Sequence, residues 1–137
     1  MRLAFNVPVN TVSFGQVSTA LLREAKKRSI ESLIFPIGGS VDLSSQPNDE
    51  EFNSWVDASI KNAYEQHDRN DPIFKLWHLS EGLESYSKEQ TLMSFHETDE
   101  PTELELNSVR NNNAIFTSRH SVEVFSSMGA SSHYVPL

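Results

Sequence analysis

Apolar and polar residues come along this chain in blocks whose lengths and periods predict strands and helices in turn. Residues 3–9 form an almost unbroken apolar run, suited to a strand buried on both faces. A loop over 10–15 follows, after which Val17, Leu21, Leu22 and Ala25 recur at helical spacing. This predicts a helix from about Phe14, and Ser13-Phe14-Gly15-Gln16 has the spacing of a capping box at its start. Residues 32–37, closed by Gly38-Gly39, predict a second strand, and 40–48 is a loop by its Ser, Gln, Pro, Asp and Asn content. Asn48 or Asp49 can cap the next helix, whose one face carries Phe52, Trp55, Val56, Ile60, Ala63 and Tyr64. Residues 73–79 predict a third strand whose end carries His78, 81–90 a short helix or turn, and 91–95 a fourth strand. A helix over 101–111 follows, with Pro101 in its first turn and acidic residues complementing its dipole. Residues 114–117 read as strand five; Ser118 caps a short helix through Val122, Phe125 and Met128, with Gly129 placed to end it; 133–137 is strand six.

Strands alternating with helices predict an α/β domain of three layers, with a mostly parallel sheet of about six strands and helices on both faces. At 137 residues the chain suits one domain with a single core, and apolar and charged fractions of 37% and 22% exclude a disordered chain. The absence of cysteine rules out disulfides, thiolate metal sites and cysteine nucleophiles. A formal net charge of -8 argues against nucleic acid as the main partner. The one basic cluster, Arg23, Lys26, Lys27 and Arg28, falls where cations complement the end of a helix. Asn6 and Pro8 interrupt the N-terminus before a signal-peptide core can form, and no apolar run is long enough to span a bilayer. The expectation is a cytoplasmic protein. The last predicted strand reaches residue 137 with no closing helix, as expected of a piece of a longer polypeptide.

Candidate chemistry gathers where the fourth strand gives way to its helix, in Phe95-His96-Glu97-Thr98-Asp99-Glu100. In a parallel sheet this end of a strand lies on the rim where ligands bind. There the His96 imidazole can move a proton or hold a phosphate or hydroxyl, and Glu97 can orient it or contact a hydroxyl itself. The plainer reading is a histidine satisfied by backbone, with Glu97 in solvent. His78 holds the corresponding place on strand three, where the plainer reading is the stronger. Asp99, Glu100, Glu103 and Glu105 are better explained by a helix start than by a metal, because neither a His-Glu-x-x-His helix nor a calcium loop is present. Phosphate-loop, dinucleotide and serine-elbow motifs are absent too. Gly15-Gln16, at the first strand-to-helix turn, can admit an anion at a helix N-terminus or can serve the helix cap alone.

Taken in order, Ser13-Phe14-Gly15-Gln16-Val17, Phe95-His96-Glu97, Phe116-Thr117-Ser118, Met128-Gly129 and Val135-Pro136-Leu137 resemble the N-terminal half of GT-B glycosyltransferases, especially of the glycosyltransferase family 4 type. The resemblance implies a Rossmann-like domain on the acceptor side of a cleft, facing a second such domain that grips the nucleotide-sugar. It implies retaining, metal-independent transfer without a cofactor. It places Gly15 and Gln16 near the donor diphosphate and sugar, His96 on the transferred sugar with Glu97 beside it, and Ser118 at the helix before the crossover. Many relatives carry paired glycines where this chain has Phe14-Gly15. Nucleotide-sugar and acceptor would be the partners, and without the second domain the chain would have little or no activity. The alternative from another class is a free-standing α/β binding or interaction module, with a homodimer covering the interdomain face. A third is an unrelated flavodoxin-like domain.

Overall fold

A computed structural model of the chain describes residues 2–44, 46–96 and 98–137, with backbone alone at 39 and 40. Among these residues six strands, β1 (Arg2–Val9), β2 (Glu31–Val41), β3 (Ile73–Leu76), β4 (Gln90–Ser94), β5 (Asn113–Phe116) and β6 (His133–Tyr134), alternate with four helices. The helices are α1 (Ser13–Lys27), α2 (Glu50–Gln66), α3 (Glu103–Arg110) and α4 (Arg119–Ser127), and a single 3-10 turn, Leu79–Glu81, follows β3. All strand pairs are parallel, in the order β2-β1-β3-β4-β5-β6. The chain is thus an α/β domain with a doubly wound, Rossmann-like sheet.

Alternation along each strand sorts the core into two sides. Phe5, Val7, Val9 and Ile34 point to one side and pack with Leu22 and Ala25 of α1. Leu92, Ala114 and Phe116 point to the other and meet Leu106 and Val109 of α3 and Phe125 of α4. Helix α2 lies along the β2 edge. Its Phe52 and Val56 join the α1 side, and its Ala63 packs with Ala4, Leu33, Phe35 and Ile73 on the opposite side. Because α1 packs mainly on β1, Phe74 and Thr91 remain partly exposed in an open groove beside it.

Local chemistry sets the ends of the elements. Helix α1 begins one residue before the expected start, with Val12 at the cap position, and the capping box does not form: no side-chain cap bond is made there. Asn10 takes over part of that work, its Oδ1 accepting from the Val12 amide at 3.2 Å, while the Gln16 side chain donates to the Thr11 carbonyl at 3.2 Å. Asp49 caps α2 by accepting from the Phe52 amide at 3.0 Å. That bond, with the Arg23 guanidinium 3.4 Å away, holds the Asp49 carboxyl below its usual range. Helix α3 starts later than expected, after Pro101. Thr102 is its cap, and a full capping box forms with Glu105.

Strand β2 runs past Gly38-Gly39 to Val41 instead of closing at residue 37. A bulge between Val7 and Val9 shifts the register, and Gly38 adopts φ 87°, a left-handed conformation that glycine takes without strain. Pro36 is tolerated because β2 is an edge strand, and Pro8 because it sits at the bulge. Strand β3 stops at Leu76, three residues short of the expected end. The Trp77 amide keeps one bond to the Met93 carbonyl of β4, and His78 then caps the 3-10 turn. Strand β6 keeps only two residues, both exposed, paired to Ile115 and Phe116.

Gly15 is a packing glycine. A Cβ there would stand 2.1 Å from Asn10 Oδ1 and 2.3 Å from the Asn10 carbonyl oxygen, so the β1–α1 loop has closed onto the helix at this point. Replacing Gly15→Ala forces backbone apart in a buried spot and should lower stability by about 1–3 kcal/mol in urea unfolding. A variant as stable as the parent would show that the loop yields freely.

Candidate functional site

Parallel strands place all their carboxyl ends on one rim, and three groups of side chains collect there. The first lies where β1 and β3 diverge, the switch point of a doubly wound sheet. The crevice is filled by the chain's own rings. Phe14 packs on Trp77, His78 and Phe95 with centroids 5.7, 5.0 and 5.0 Å apart. His78 is exposed and held as part of this cluster, with Trp77 at 4.7 Å. Gly15 is buried under the Asn10 loop next to Phe14, and Gln16 lies on the exposed side of the first turn, where its Oε1 accepts from Gln46 at 3.2 Å.

The second group surrounds His96 in a cavity of about 370 Å³ between the ends of β4 and β5 and the start of α4. The His96 side chain is only 6% exposed. Its Nδ1 faces Glu105 Oε2 at 3.4 Å, and Nε2 meets the Thr98 hydroxyl at 3.0 Å. Glu105 does two jobs at once, because its other oxygen accepts from the Thr102 amide at 2.9 Å in the α3 cap. The His96 carbonyl accepts from Ser121 Oγ at 2.8 Å, and Phe125 packs against the ring at 5.0 Å. The imidazole is therefore oriented by Glu105 of α3, Thr98 of the loop and Phe125 of α4, while Ser121 holds the backbone beneath it.

Ser118 shares this cavity. Its hydroxyl caps α4 by accepting from the Ser121 amide at 3.4 Å. Ser94, 1% exposed, lines the same space, and its buried hydroxyl has no hydrogen-bond partner. His120 reaches over from α4 to pair with the Asp99 carboxylate. Glu97 lies outside the described residues. The expected site residues thus fall into two sets on the rim: His96 with Ser118 in one cavity, and Gly15 with His78 around Phe14. Phe95 joins them, touching Phe14 with its ring and preceding His96 in the chain.

Two of the four acidic residues of the 99–105 stretch are engaged in these contacts, Asp99 on His120 and Glu105 on His96 and the α3 cap. Among the described residues no group of three His, Asp or Glu side chains is placed to hold a metal ion. Likewise, no helix is long and apolar enough to cross a membrane among them.

The third group escaped the sequence reading. Lys75 in β3 is 4% exposed, and its ammonium donates to the Glu81 and Glu84 carbonyls at 2.8 and 3.0 Å. Burial pushes its pKa down, against the opposing pull of the Glu84 and Glu81 carboxylates. The signal was present as the one charge inside Ile73-Phe74-Lys75-Leu76. Ser94 left a similar trace, a lone hydroxyl on the inward face after Leu92.

Comparison with known proteins gives no match: no family model fits the chain, and no curated protein and no solved structure is significantly similar to it.

Two buried serines, Ser108 and Ser94, predict opposite responses. Ser108 Oγ donates to the Leu79 carbonyl at 2.6 Å, so Ser108→Ala should cost about 1–2 kcal/mol in urea unfolding. Ser94→Ala removes an unpaired buried hydroxyl and should leave stability unchanged or raise it by up to about 1 kcal/mol. A loss at Ser94 equal to that at Ser108 would mean the hydroxyl has a protein partner after all.

Proposed function

We propose that this chain is the N-terminal, acceptor-side domain of a GT-B glycosyltransferase that moves a sugar from a nucleotide-sugar to an acceptor. The observation that supports this reading most is the cavity at the ends of β4 and β5, where a nearly buried, oriented His96 sits with Ser118 and an unpartnered Ser94 hydroxyl. Unpaired buried polar groups in a concave site invite a ligand that supplies the missing bonds, and a sugar hydroxyl both donates and accepts. The carboxyl rim is also where an α/β sheet binds ligands in general.

In this reading His96 positions the transferred sugar, with Glu105 fixing the imidazole from behind and Glu97 next to it in the chain. Ser94 and Ser118 meet sugar hydroxyls. The Gly15 turn forms the floor towards the donor. Because Phe14 fills the space beside it, the diphosphate would approach over that ring and not through it. Charge that develops on the departing diphosphate would be stabilised by a second domain facing the rim. The reading needs no metal and no cofactor.

The test is sugar transfer by a polypeptide in which this chain is followed by its nucleotide-binding partner domain. His96→Ala should lower kcat by about 10²-fold or more, the scale of one lost transition-state contact, while the circular dichroism spectrum stays the same. Unchanged turnover would remove His96 from the reaction.

A further inference from the structure

A second cavity on the rim is independent of the His96 site. Asn6 and Lys75 are register partners in the neighbouring strands β1 and β3, and lie side by side on a face otherwise lined by Ala4, Leu33, Phe35 and Ile73. They are 7% and 4% exposed, an expensive place for an amide and an ammonium unless each has partners. Asn6 Nδ2 donates to the Phe35 carbonyl at 2.9 Å. Lys75 Nζ spends two donors on the Glu81 and Glu84 carbonyls, and an ammonium has three. Above this polar floor opens a cavity of about 590 Å³, the size of a small-molecule site.

The walls narrow the choice of ligand. Tyr86 stacks on Phe35 at 4.2 Å and is 48% exposed, so one aromatic face is available to a ligand. Glu81 and Glu84 bring carboxylates to the rim, and Ser85 adds a hydroxyl. A phosphate is a poor fit, because the single ammonium already faces two carbonyls and two carboxylates. An apolar ligand would bury the floor's remaining polar atoms without partners. A sugar ring matches both demands: its hydroxyls accept from Lys75 and Asn6 and donate to Glu84, and its C–H face lies against an aromatic ring.

We propose that the cavity over Asn6 and Lys75 binds a neutral saccharide, with its hydroxyls on the Lys75 floor and the Glu84 rim and its ring against Tyr86. This cavity shares no lining residue with that of His96, and its ligand is independent of sugar transfer.

The test is a ¹H–¹⁵N titration of the chain alone with methyl α-D-glucoside, methyl α-D-galactoside and N-acetylglucosamine, and separately with inorganic phosphate. At least one saccharide should shift the amides of Gly38, Lys75, Trp77 and Ser85 and saturate in the millimolar range, whereas phosphate should not. Lys75→Met also releases the turn after β3, so the discriminating variants are the exposed Glu84→Gln and Tyr86→Ala. Each should weaken saccharide binding several-fold with the rest of the spectrum unchanged. No shift with any of the three saccharides, the same shifts with phosphate, or undiminished binding by both variants would overturn the proposal. With no donor and no second domain in the tube, the result is separate from that of the His96 experiment.

Discussion

The structure depends on one constraint: all six strands run the same way. A parallel strand cannot return through a hairpin, so each must be carried back across a face of the sheet, usually by a helix. The apolar positions of α1, α2, α3 and α4 exist to make those crossings, and the core is what they bury against the sheet. The connection from β3 to β4 has only a 3-10 turn. Polar tethers replace helix packing there: Lys75 holds the Glu81 and Glu84 carbonyls, Ser108 the Leu79 carbonyl, and Gln90 and Asn112 the Gly82 carbonyl. A buried lysine in a central strand is the consequence of a crossover too short to have a hydrophobic face.

The same constraint gathers every strand-to-helix loop on one rim, which is why residues far apart in sequence become neighbours there. Phe14 from the first turn of α1, Trp77 and His78 from the segment after β3, and Phe95 from the end of β4 pack as one cluster. They fill the crevice where a doubly wound sheet would otherwise open, and they divide the rim. The His96 cavity lies on one side of Phe95, and the Asn6–Lys75 cavity lies on the opposite side of Trp77. A ligand at either place meets rigid walls, since His96 is fixed by Glu105, Thr98 and Phe125 and Lys75 by two carbonyls.

Elements with long periodic patterns were legible in the amino-acid sequence. The apolar stripe of α2 and the run of β1 mark their structures directly, and Ser118 and Gly129 mark the two ends of α4 as read. What failed was local competition between equivalent partners. The Ser13 box did not form because the helix starts one residue earlier, with the Gln16 amide donating to the Val12 carbonyl and the Gln16 side chain to the Thr11 carbonyl, and the glycines after residue 37 made a bulge and not an end because β1 continued alongside. At the site, the position of His96 on the rim followed from the strand pattern. Its partner Glu105 did not, because a capping glutamate and a histidine-orienting glutamate look alike until the helix start folds back to the strand end. Lys75 was hidden for a similar reason: one charge in an apolar run acquires meaning only when the turn that it holds is seen.

The claim on which the rest turns is that ligand chemistry resides in the His96 cavity on the carboxyl rim. The most direct measurement is backbone-amide mapping of a polypeptide in which this chain is followed by its nucleotide-binding partner domain, titrated with a panel of nucleotide-sugars, comparing the parent with Ser94→Ala. The account predicts shifts centred on Ser94, His96, Ser118 and Ser121, reduced in the variant. Shifts confined to the opposite, amino-terminal edge of the sheet, or none with any donor, would contradict it.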